Sequence, residues 1–69
     1  MEIESKKVEL NKGYYVNITM HENSSTRLYV LYDKNDTKKV ESFNRDSFLL
    51  KANQYVKLTN MQECVIASH

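Results

Sequence analysis

A chain of 69 residues with ten Lys and Arg against nine Asp and Glu, a formal charge of +1, has room for one domain over 1–69. It has no strong field of either sign to draw in nucleic acid or anionic lipid. One cysteine, Cys64, excludes an intrachain disulfide, and one glycine excludes the glycine-rich loops that cradle nucleotide phosphates, so folding must rest on packing or on a second chain.

The opening MEIESKKVEL mixes charges of both signs and has no apolar run of signal-peptide length, so the expected compartment is cytoplasmic. The longest apolar stretch, 28–32, is far short of the roughly 20 residues that span a bilayer, so no membrane role is expected. Period-two alternation then dominates. Residues 6–11 read as a strand with Val8 and Leu10 on one face, and Asn11-Lys12-Gly13 supplies the turn that follows. Residues 14–22 place Tyr14, Val16, Ile18 and Met20 on one face against Tyr15, Asn17, Thr19 and His21 on the other. After a polar loop at 23–26, residues 27–33 carry Leu28, Val30 and Tyr32 opposite Tyr29 and Leu31. Both faces of that strand are apolar, so it should be central. The turn formers at 34–37 make 38–43 its returning arm, with Val40 turned to the core.

Beyond this point the pattern is less regular. Asp46 or Ser47 has the chemistry to cap one helical turn carrying Phe48, Leu49 and Leu50, but strand is the preferred reading of 48–51. A tight turn at Ala52-Asn53 leads to a strand at 55–59 bearing Val56 and Leu58, and a last strand at 62–68 turns Cys64 and Ile66 inward. Six to seven short strands joined by turns predict an all-β domain, a small antiparallel sandwich or barrel.

From 29 to 58 the order of features is an aromatic strand, an Asp-rich turn at 33–36, Asn44 followed by Phe48, and then Asn53-Gln54-Tyr55-Val56-Lys57-Leu58. That order resembles a small β-sandwich module of Gram-positive surface and phage-associated proteins, with Asn53 standing where the module has glycine. The resemblance implies a sandwich and brings no catalytic motif with it.

Chemistry of the catalytic kind finds little support. The donors His21, Cys64 and His69 have no metal-ligand spacing, so neither metal nor cofactor is expected. Cys64 with His21 is the one cysteine–base pair, and a strand would turn Cys64 into the core, where desolvation disfavours the thiolate. The expected function is therefore non-enzymatic binding. Tyr15, Tyr29 and Tyr55 fall opposite the cleanest apolar stripes, and with Lys57 and Arg27 they form the candidate anchors for a protein partner. Small size and turn chemistry suit an inhibitor of a host protein encoded by a phage or mobile element. The competing reading stacks single-stranded nucleic acid on the same tyrosines beside Lys38, Lys39 and Lys57, against the interleaved Glu22, Asp33, Asp36 and Glu41. A third has the tyrosines cover a second sheet face within the sandwich. Open strand edges also offer a route to a homodimer, which would relieve the thin core.

Overall fold

The computed structural model describes residues 2–21 and 26–68. Glu22, most of the loop expected at 23–26, and His69 lie outside them. The chain runs β1 (Glu2–Glu9), β2 (Tyr15–His21), β3 (Arg27–Tyr32), β4 (Lys38–Ser42), α1 (Arg45–Ala52) and α2 (Asn60–Ala67). The strands form an antiparallel meander in the order β1-β2-β3-β4.

Local chemistry sets both well-defined turns. Between β1 and β2, Lys12 and Gly13 take φ of 59° and 81°. A Cβ on Gly13 would stand 2.7 Å from Cβ of Lys34, so close approach and positive φ both require glycine there. Between β3 and β4, Oδ1 of Asp33 accepts the N–H groups of Asn35 and Thr37 at 2.8 and 2.9 Å, and Asp36 takes φ of 63°. The Thr37 N–H is the main reason that the Asp33 carboxyl sits below its ordinary pKa; the Asn35 N–H and Lys39 act in the same direction.

The all-β expectation of six to seven strands in a sandwich or barrel is overturned. The described residues form four strands in an open sheet and two α-helices, and the strands expected at 48–51, 55–59 and 62–68 are absent. Asn44 caps α1, its side chain accepting the N–H of Ser47 at 2.9 Å, and the i,i+4 pair Phe48 and Ala52 then lands on the sheet. At α2 the capping box is reciprocal: Thr59 Oγ1 accepts the Gln62 N–H at 3.1 Å, and Gln62 Oε1 accepts the Thr59 N–H at 2.9 Å. Val56 and Leu58 do turn inward, but on the link between the helices, which begins as a turn in which the Tyr55 and Val56 N–H groups donate to the Ala52 carbonyl. Cys64 faces outward, and Ile66 is the buried side chain of α2.

Both helices lie on one face of the sheet, α1 over β3 and β4 and α2 beside β1. Under them sit Val8, Val16, Ile18, Tyr29, Leu31 and Val40 from the strands, and Phe48, Ala52, Val56, Leu58 and Ile66 from above. Phe48, fully buried, stacks on Tyr29 with ring centroids 5.6 Å apart. Asn53 ties the upper layer together. Its Nδ2 donates to the Leu49 carbonyl at 2.9 Å and to Glu63 Oε2 at 3.1 Å, while its Oδ1 accepts the Leu58 N–H at 2.9 Å. Among the described residues no helix is long and apolar enough to cross a membrane.

Candidate functional site

With the helices on one face, strand register dictates what the other face presents. Three rows cross it: Ser5, Thr19 and Leu28; Lys7, Asn17, Val30 and Glu41; and Glu9, Tyr15, Tyr32 and Lys38. Val30 is 6% exposed even though it lies outside the cluster that the helices cover. Leu28 and Tyr32, its neighbours on the same strand face, are half-buried.

Tyr15 is the best-held side chain of this face. Its ring stacks on that of Tyr32 from the neighbouring strand at 5.0 Å, and Nζ of Lys7, from the strand on the other side, stands 4.5 Å from its centroid. The hydroxyl donates to Asp36 Oδ1 at 2.7 Å. That hydrogen bond, helped by desolvation and by the charge of Asp36, pushes the Tyr15 phenol up to about 12. The phenol is thus a fixed donor throughout the physiological range.

The residues singled out from the sequence do not come together. Tyr15 is on the open face. Tyr29 is on the opposite one, 5% exposed beneath Phe48, because its register partner is the inward Ile18. It cannot serve as an exposed anchor. Tyr55, 49% exposed, lies past the end of α1 in the helical layer. Lys57 is exposed on the link, where its carbonyl accepts from Asn11 Nδ2 at 3.4 Å. Arg27 is half-buried at the start of β3, and its Nε is buried with no hydrogen-bond partner among the described residues. Sequence alone does not mark Lys7, Leu28, Val30 and Tyr32 as one surface, since membership of the open face depends on pairings such as Tyr15 with Tyr32 that a single strand does not display.

A second surface feature is an open groove of about 440 Å3 between β4 and α1, lined by Lys39, Val40, Glu41, Leu50, Lys51, Gln54 and Tyr55. Among the described residues no three His, Cys, Asp or Glu side chains gather as metal ligands. Neither a family model, nor a characterised protein, nor a solved structure matches this chain.

Proposed function

We propose that the protein is a non-enzymatic binding module whose helix-free sheet face docks a protein partner. The observation that carries this reading is the cross-strand patch of Leu28, Tyr32 and Tyr15, seated on the buried Val30, which lies on the sheet face that neither helix covers. Aromatic and aliphatic side chains occupy its centre, and charges of both signs, Lys7, Glu9, Lys38 and Glu41, stand around them. Such a centre and rim suit a protein surface. Four strands at ~4.8 Å and about six residues at ~3.3 Å give a face of roughly 400 Å2, about half of what one partner contributes to a standard complex. Affinity would therefore concentrate in the Tyr15–Tyr32 pair. An inhibitor of a host protein, encoded by a phage or mobile element, is the biological role that small size and turn chemistry fit best.

Single-stranded nucleic acid fits this face less well. A base needs a free ring face, and Tyr15 has Lys7 on one side and Tyr32 on the other, with Asp33 and Asp36 close by. Affinity capture from source-cell lysate with Tyr32→Glu as control tests the proposal. The wild type should retain a partner that the variant loses, while both melt at similar temperatures by circular dichroism. Retention by the variant would refute the proposed face. No oligonucleotide should bind at low salt, and binding that falls steeply as salt rises would put nucleic acid in the partner's place.

A further inference from the structure

The two edge strands carry the same four residues, Lys6-Lys7-Val8-Glu9 in β1 and Lys38-Lys39-Val40-Glu41 in β4. In each the valine is buried and its neighbours are exposed. An edge strand leaves alternate N–H and C=O groups unpaired and so can accept another strand, and lysines normally blunt that tendency by repelling a copy. Whether they do so here depends on register.

Consider β4 meeting β4 of a second copy antiparallel, about a two-fold axis normal to the sheet. Directly opposed residues must share a face, so the axis passes through a residue. An axis at Lys39 opposes lysine to lysine, and one at Glu41 opposes glutamate to glutamate. An axis at Val40 opposes Lys39 to the partner's Glu41 twice over and places the two valines together. Lys-Val-Glu is its own antiparallel complement in that register alone. The ladder with β3 shifts register between Val40 and Lys38, and Lys39, Val40 and Glu41 all line the groove between β4 and α1. Their present pairs, Lys39 with Asp33 at 3.7 Å and Glu41 with Lys38 at 3.1 Å, are surface ion pairs weak enough to rearrange.

We propose that the protein forms a two-fold homodimer joined β4 to β4 in the Val40-centred register, with one continuous eight-stranded sheet. The groove beside β4 supports the same arrangement. Leu50 and Tyr55, 70% and 49% exposed, open onto it. Because α1 lies over β3 and β4, a ~4.8 Å strand spacing would set the two α1 helices roughly 10 Å apart, close to the 8–10 Å of packed helices. The partner's α1 then fills the groove and covers Leu50 and Tyr55. Joining β1 to β4 would instead leave a free edge at each end and propagate into fibres. The paired sheet also doubles the open face to roughly 800 Å2, the share of one partner in a standard complex.

Sedimentation equilibrium over a concentration series tests the dimer. Wild type should fit a monomer–dimer equilibrium. Lys39→Glu and Glu41→Lys should each weaken association by about tenfold or more, since two opposed pairs change sign. An equimolar mixture of the two variants should regain the dimer, because every glutamate then opposes a lysine. Circular dichroism melts identify any variant that fails to fold, and in that case the double variant Lys39→Glu/Glu41→Lys, which restores complementarity within one chain, should dimerise. A wild type that stays monomeric, association that neither single swap weakens, a mixture that stays monomeric, or a mass that grows without limit would each overturn the proposal.

Discussion

Tyr15 is gripped through its ring by Lys7 and Tyr32 and through its hydroxyl by Asp36. The folded state therefore favours the protonated phenol. With its pKa raised from 10.0 to about 12, the contribution to stability is complete below pH 10 and is lost as pH climbs from there through 12. An alkaline titration followed by tyrosinate absorbance should show a component that ionises only near pH 12, absent in Tyr15→Phe. A titration unchanged by that substitution would contradict the assignment. The outward placement of Tyr15 was legible, because β2 alternates cleanly between apolar and polar faces. That of Tyr29 was not. β3 is apolar on both faces, so alternation leaves open which set turns inward, and pairing with Ile18 decides it.

At the scale of elements, the four strands could be read directly, although β1 runs over Glu2–Glu9 and not over the expected 6–11, and the helices could not. Period two over five or more residues is a strong signal, whereas Phe48-Leu49-Leu50 is a short apolar run that strand and helix share. The signals that would have separated them lie outside the run: Asn44 as cap, and Ala52 four residues after Phe48 on the same helical face. For α2 the mark is Thr59 three residues before Gln62. Thr59→Ala should lower unfolding free energy by about 1 kcal/mol in urea titrations, with Thr59→Ser close to wild type. Equal loss in both variants would mean that the hydroxyl does not set this helix.

Taken whole, the molecule is a sheet with its helices on one side. A 69-residue domain has a stability of roughly 3–10 kcal/mol. Phe48 reaches from α1 onto Tyr29 and is fully buried, and truncating such a side chain costs about 3–5 kcal/mol. Phe48→Ala should therefore leave the chain unfolded or close to it at ordinary temperature, measured by the loss of a cooperative melt. A variant that still melts within a few degrees of wild type would show that Phe48 does not hold the two layers together. By itself the sequence determined the alternating strands of the sheet and the turns at Gly13 and Asp33, since each depends mainly on residues near one another in the chain. Tertiary structure alone decided that both helices pack on one face of the sheet, that Tyr29 is buried while Tyr32 joins Tyr15, and that one sheet face stays open. These outcomes turn on which apolar surfaces meet across the core, and a pattern read along one strand does not contain that information.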